Sequence, residues 1–121
     1  MREDIKNKWV YHLKSGNYKK ATGKLRKVTK SGTCSYCALG VLTDLYINAN
    51  SDTCKWNGEM PVINGEQYGN GVLPKPVAVW AELEHTDGRI KGRMNGSIPD
   101  LNDTGRSFEE IATVIETEGL I

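Results

Sequence analysis

The chain lacks any long apolar segment. Its longest apolar runs, residues 39–42 and 77–80, are far shorter than the ~20 residues that span a bilayer. Charged residues open the chain and no apolar stretch follows them, so a signal peptide is not predicted either. We therefore expect a cytosolic protein with no membrane partner.

Cysteine is scarce, and its count of three is odd. An odd number in a chain without a signal peptide argues against a disulfide framework. Cys34 and Cys37 have the Cys-x-x-Cys spacing of a zinc or redox site, but Cys54 stands alone and no second close pair follows. Cys37 also falls on an apolar helical stripe, where a free thiol packs as a small hydrophobe. We predict no metal and no cofactor, with Cys37 in the core of the central helix and Cys34 and Cys54 as incidental thiols near loops.

Histidine is scarcer still, with two residues. Nucleophilic catalysis needs a base beside a Ser, Cys or Thr nucleophile. Neither His12 nor His85 lies in a known catalytic motif, and no other catalytic signature is present. The sequence therefore favours a protein without enzymatic activity.

Apolar residues recur at helical spacing in four parts of the chain. The last helix has the clearest signal, because Ser107 and Glu110 form a capping box before an apolar stripe. Residues 36–47, with Ser35 as a cap, are apolar on most sides and predict a central buried helix. Gly40 costs that helix about 1 kcal/mol relative to Ala, which favours close packing against a neighbouring backbone. The other predicted helices are residues 3–14 and a short one around residues 77–83.

Turn dipeptides divide the remaining chain into short strands, because Asn-Gly and Asp-Gly favour tight hairpin turns. The predicted strand regions are residues 18–30 with a turn at Gly23, residues 53–72 with turns at Asn64-Gly65 and Asn70-Gly71, and residues 89–93 between Asp87-Gly88 and Asn95-Gly96. The sequence thus predicts a single α+β domain over residues 1–121, with about four helices packed on a small antiparallel β-sheet of short hairpins.

Charge is divided unevenly along the chain, although the net charge is only +1. Residues 1–30 hold ten basic and two acidic side chains, whereas residues 31–121 hold six basic and thirteen acidic ones. Such a division steers anionic partners to the basic end. It is equally compatible with a head-to-tail homodimer, or with two solvated faces of one fold.

A polar segment before the last helix is one candidate anion site. It combines backbone N–H groups at a helix N-terminus with hydroxyls and a guanidinium, which is a suitable environment for a phosphate. Against this interpretation, Asp103 would repel an anion and Ser107 already caps the helix. The candidate ligand-binding residues here are Asn102, Asp103, Thr104, Arg106 and Ser107.

The basic segment, residues 18–30, is the other candidate. Lys24 and Arg26 could bind phosphate, and Tyr18 could stack on a base. The segment lacks the interleaved aromatic residues of a single-strand binder and the helical form of a groove reader. Nucleic acid is therefore a possible partner, but the sequence pattern does not specify one.

The landmarks of the chain resemble a family of small uncharacterised proteins of tailed phages and prophages. The block from Tyr36-Cys37 to Leu42 is the most specific part, and the resemblance covers nearly the whole chain. The chain departs from the pattern at Ala38 and Glu82, and Cys34 has no counterpart in it. The remaining landmarks are Trp9, Leu13, Ser15-Gly16, Tyr18, Gly23, Leu25-Arg26, Asp44-Leu45, Trp56, Leu73-Pro74, Val77, Trp80, Leu83, Leu101-Asn102-Asp103, Ser107-Phe108, Ile111, Ala112 and Ile115.

This resemblance implies a viral origin and the bacterial host cytoplasm. Our first hypothesis is a non-enzymatic phage accessory protein with a counter-defence role, which sequesters a nucleotide immune signal or a host defence protein by stoichiometric binding. The alternative is a nucleic-acid-binding accessory protein that uses the basic N-terminal third. A weaker alternative is a hydrolase of a nucleotide signal.

Overall fold

A computed structural model describes residues 1–94 and 96–121. The described part contains five helices and two small antiparallel sheets, of strand order β1-β2 and β3-β4-β5. This arrangement confirms the predicted α+β class. In chain order the elements are α1 (Glu3–Lys14), β1 (Arg26–Val28), β2 (Cys34–Tyr36), α2 (Ala38–Ala49), β3 (Cys54–Asn57), β4 (Met60–Ile63), β5 (Glu66–Gln67), α3 (Lys75–Ala81), α4 (Ile98–Asp103) and α5 (Phe108–Thr117).

Helix α2 is the centre of the core, and each of its first eight residues is buried. Helices α1, α3 and α4 and strands β2 and β3 all contact it, while α1 packs along α5. The fully buried Trp9 of α1 donates its indole N–H to the Ala38 carbonyl oxygen at 2.9 Å. The central position predicted for this helix is therefore confirmed.

The predictions that depended on local signals are confirmed. Helix α1 has the predicted bounds, and both hydrogen bonds of the Ser107–Glu110 capping box are present at the start of α5. Asn64 and Gly65 have φ angles of 52° and 82°, as a tight turn between β4 and β5 requires.

The predicted hairpin inside residues 18–30 is wrong. Strand β1 pairs instead with β2, which lies beyond the turn at residues 29–33. Lys20 forms a parallel bridge to Tyr36 on the opposite edge of β2. Because Tyr36 belongs to this strand, α2 begins at Ala38, and its cap is Cys37 rather than Ser35. The N–H of Gly40 donates to the Cys37 sulfur at 3.4 Å.

Two other predictions also need correction, and a third is refined. Residues 89–93 form no strand in the described part of the chain, where Arg89 makes an isolated bridge to Ser97 and Ile90 another to Leu120. The turn predicted at Asn70-Gly71 joins no strands, and Asn95 of the Asn95-Gly96 turn lies outside the described residues. Cys34 and Cys54 lie next to loops, as predicted, but each is the first residue of a strand, β2 or β3, and Cys54 is buried.

Candidate functional site

Asn102 is fully buried in α4, and its side-chain amide joins two distant parts of the fold. Its Oδ1 accepts a hydrogen bond from the Ala38 N–H at 3.1 Å, at the start of α2. Its Nδ2 donates to the Ala21 carbonyl oxygen at 2.8 Å, in the basic segment. The predicted ligand-binding role of Asn102 would therefore require these internal bonds to break.

The C-terminal end of α4 holds the basic segment in place. The carboxylate of Asp103 accepts the Gly23 N–H at 3.0 Å, and Lys20 donates to the Asn102 carbonyl oxygen at 2.8 Å. The structure thus brings the two candidate regions into contact. It does so mainly through bonds that occupy their polar groups, and the cavity between Gly23, Lys24 and Asp103 has a volume of only about 30 Å³.

The other residues of the predicted anion loop also bond internally. The Thr104 hydroxyl donates to the Asp100 carbonyl oxygen at 2.6 Å, and Arg106 lies 3.4 Å from the Glu110 carboxylate. Ser107 caps α5, and the Ser107 N–H is the main cause of a lowered pKa at Glu110. Most hydrogen-bond donors of this loop are therefore not free to bind an anion, which weakens the anion-binding interpretation.

Arg26 makes a different set of contacts on strand β1. Its guanidinium donates to the Gly58 carbonyl oxygen at 3.0 Å and to the Cys34 sulfur at 2.9 Å. The guanidinium carbon lies 5.2 Å from the ring centroid of Trp56 and 6.0 Å from that of Tyr36. These distances are typical of cation–π contacts.

Three half-buried aromatic rings form a continuous row beside this guanidinium. The Tyr18 and Tyr36 rings meet edge to face with centroids 5.1 Å apart, and Tyr36 meets Trp56 at 6.1 Å. We call Tyr18, Tyr36 and Trp56 the aromatic row. Its members come from the basic segment, from β2 and from β3, so tertiary structure supplies the aromatic residues that the basic segment lacks in sequence.

Asp44 of α2 holds two of these rings in place by hydrogen bonds. Its carboxylate is 9% exposed and accepts hydrogen bonds from the Tyr18 hydroxyl at 2.6 Å and the Trp56 indole N–H at 2.8 Å. Asn48 adds a third donor at 3.2 Å. Burial raises the pKa of Tyr18, and the hydrogen bond and negative charge of Asp44 raise it further. The polar edges of both rings are therefore tethered toward the core.

Three lysines of the basic segment form no salt bridge with the described residues. Within residues 1–94 and 96–121, Lys19, Lys27 and Lys30 have no carboxylate within 4.0 Å. Lys24 differs, because it pairs with Glu59 at 2.7 Å, and this bond is the main cause of a lowered pKa at Glu59. The basic segment thus carries these three lysines without a salt-bridge partner in the described part of the chain, although the charge of Lys27 also contributes to the lowered pKa of Glu59.

Sequence reasoning identified Tyr18, Lys24 and Arg26 but missed Asp44 and the binding potential of Tyr36 and Trp56. Tyr36 and Trp56 are landmarks of the family resemblance, yet nothing in their spacing indicates that they adjoin Arg26. The missing information is the pairing of β1 with β2 and the approach of the β3–β4 turn, which supplies the Gly58 oxygen to Arg26.

Other features of the described residues are less informative. A surface concavity of about 570 Å³ is lined by residues 51–55 with Val62, Asn64 and Gly65, none of them in the basic segment or the aromatic row. Among the residues described, no group of three or more His, Cys, Asp or Glu side chains could hold a metal ion. No helix in the same part of the chain is long and apolar enough to cross a bilayer.

These features define a small α+β protein with a basic surface and a row of aromatic rings within it. The chain belongs to the family described as a domain of unknown function, DUF8296, whose family model matches residues 1–119. No curated protein and no solved structure matches the chain. The phage origin and the location in the bacterial host cytoplasm stay predictions.

Proposed function

We propose that the protein is a non-enzymatic binding protein that captures an anionic partner of the nucleotide class on its basic segment. The observation that carries this proposal is the environment of Arg26. Its guanidinium is packed against Trp56 and Tyr36 and donates to the Gly58 oxygen and the Cys34 sulfur, and no carboxylate of the described residues lies within 4.0 Å of it. Its positive charge therefore remains available to a phosphate.

The basic segment is the stronger of the two candidate regions. The polar segment at residues 102–107 uses its amide, carboxylate and hydroxyl groups to hold the fold together. The basic segment keeps unpaired lysines and gains aromatic neighbours. Nucleic-acid binding through the basic N-terminal third is thus favoured over a site at residues 102–107. A nucleotide immune signal stays a candidate ligand for the same surface.

Salt dependence of binding tests the electrostatic part of the proposal. Binding of labelled oligonucleotides and of a cyclic dinucleotide would be measured between about 50 and 200 mM salt. The double variant Lys19→Gln with Lys27→Gln removes two charges that make no salt bridge within the described residues, so the fold should be unaffected. We expect weaker binding, and a salt slope for a single strand that is shallower by about 1.4.

A matched control removes the same number of charges elsewhere. Lys75 and Lys91 are exposed and lie outside the basic segment. Lys75→Gln with Lys91→Gln should bind as the unmodified protein does. Equal losses of affinity in the two double variants would show that binding depends on net charge alone, and would contradict the proposal. Recovery of a cleaved cyclic dinucleotide after denaturation of the protein would support the hydrolase instead.

A further inference from the structure

The aromatic row and Arg26 together have a composition that phosphate binding alone does not require. A lysine cluster is sufficient to attract phosphates, whereas flat rings add affinity only when a partner presents flat faces of its own. Base–aromatic stacking contributes in this way, and it tolerates any base sequence. Tyr36 and Trp56 lie beside the positively charged Arg26 guanidinium, and this combination exceeds what a phosphate site needs.

The rings are also held in fixed positions before any ligand arrives. Asp44 accepts a hydrogen bond from Tyr18 and another from Trp56, and these two residues belong to different elements. A ring tethered at its polar edge loses little further freedom on binding, which favours affinity. Tyr18, Tyr36 and Trp56 are each half-buried, so part of each side chain remains accessible to a ligand.

We propose that Tyr18, Tyr36, Trp56 and Arg26 form a binding site for unpaired bases of single-stranded nucleic acid. This inference rests on the proposed function and names its ligand. The bases stack on the aromatic row and on the plane of the Arg26 guanidinium, while the neighbouring Lys19 and Lys27 attract the phosphates. A duplex keeps its bases stacked on one another, so it engages the lysines but not the rings.

Two carboxylates lie near the site and oppose an anion. Asp44 is buried and its charge is shared among three hydrogen-bond donors. Glu59 bonds to Lys24 at 2.7 Å and to the Val28 N–H at 3.1 Å. Lys27 also interacts with Glu59 through its charge. Arg26, Lys19, Lys24 and Lys27 nevertheless outnumber these two carboxylates, so the charge balance of this part of the chain stays favourable to phosphate.

The test uses the full chain and compares substitutions of two half-buried tryptophans. Fluorescence anisotropy would report binding of labelled oligothymidylate and oligouridylate of about ten nucleotides, with a DNA duplex as a third probe. Trp56→Leu removes a ring of the row and should weaken single-strand binding about tenfold. Trp80→Leu is the matched control, because Trp80 meets Tyr46 edge to face at 5.2 Å in another part of the fold, and it should not change binding.

A third variant separates stacking from structural support. Trp56→Phe keeps an aromatic ring but cannot bond to Asp44, so it should bind the single strand far better than Trp56→Leu. Equal affinity of Trp56→Leu and the unmodified protein would overturn the inference, as would duplex binding as tight as single-strand binding. In both cases a retained effect of the Lys19 and Lys27 substitutions would leave the proposed function standing. Absence of binding to all the oligonucleotides and the cyclic dinucleotide at low salt would refute both proposals.

Discussion

Gly40 of α2 lies directly against the backbone of Leu25: a Cβ atom added to Gly40 would overlap the Leu25 carbonyl oxygen. The same oxygen accepts the Cys37 N–H at 3.2 Å, and the Leu25 N–H donates to the Asn70 carbonyl oxygen at 2.7 Å. Leu25 itself is fully buried. The basic segment is therefore fixed against the first turn of α2, where no side chain would fit between them.

Gly40→Ala should destabilise the protein, although alanine is the better helix former. The gain in helix propensity is about 1 kcal/mol, but the overlap with the Leu25 backbone forces α2 and the basic segment apart. We expect a net loss of about 2 kcal/mol or more, measured by urea denaturation. Gly69→Ala is the control, since nothing lies within 4 Å of its added Cβ. A Gly40→Ala protein as stable as the unmodified one would show that the two segments separate freely.

Asn102→Ala should cost about 3 kcal/mol of unfolding free energy, because it removes the partners of two buried backbone groups. These groups are the Ala38 N–H and the Ala21 carbonyl oxygen. Asn57→Ala provides a comparison, since Asn57 is exposed and its side-chain amide donates to the Gln67 side chain at 2.9 Å. Chemical denaturation would measure both. A loss below about 1 kcal/mol at Asn102 would mean that water replaces the amide, and would restore this residue as a ligand-binding candidate.

Tyr18→Phe should change the alkaline stability of the protein. The pKa of Tyr18 is raised above its ordinary value of 10.0, so the unfolded chain loses this proton at lower pH than the folded protein does. The hydroxyl therefore contributes its full stabilisation below about pH 10, and that contribution declines as the pH rises further. The variant should lose about 1 kcal/mol at neutral pH.

Above pH 10, the unfolding free energy of the variant should fall less steeply, by at most about 1.4 kcal/mol per pH unit. Tyr11→Phe is the control, since Tyr11 is 67% exposed. Denaturation series at neutral pH and above pH 10 would measure both variants. Identical pH slopes for Tyr18→Phe and the unmodified protein would contradict the role assigned to the Tyr18–Asp44 bond.

Ser107→Asp distinguishes the two candidate binding regions. Aspartate caps helices as well as serine does, and its charge is favourable at a helix N-terminus, so stability should be kept. A carboxylate at this position would, however, repel any anion bound at residues 104–107. We expect oligonucleotide binding, measured by anisotropy, to be unchanged. Loss of binding in a stable Ser107→Asp protein would place the site at this loop instead of the basic segment.

The parts of the fold that the sequence predicted well are those with local causes. Helix α1 follows from an apolar stripe of Ile5, Trp9, Val10 and Leu13, and all four are buried. The Asn64-Gly65 turn and the Ser107 cap each depend on residues that are adjacent or three apart. Helix α4 is not predicted from the sequence, because its six residues are too few to show a helical periodicity.

The contacts that form the candidate site join residues that are far apart in the sequence. The sequence identified the charges of the basic segment but placed its hairpin wrongly, because the partner of Lys20 is the backbone of Tyr36 in β2. The contact of Trp56 with Arg26 accompanies the pairing of β3 with β4 and the bond between Arg26 and the Gly58 oxygen in their turn. No periodicity or spacing in the chain carries that information, since it results from packing between elements.

The bond between Ala21 and Asn102 joins residues that are 81 positions apart. On the ribosome, the first thirty residues emerge with ten basic side chains long before the residue that anchors them has been made. Domains generally fold as units, so an early segment waits for its later partners. The basic segment can form its bond to Asn102 only after α4 has been synthesised, so the proposed binding face does not reach its final conformation before that point.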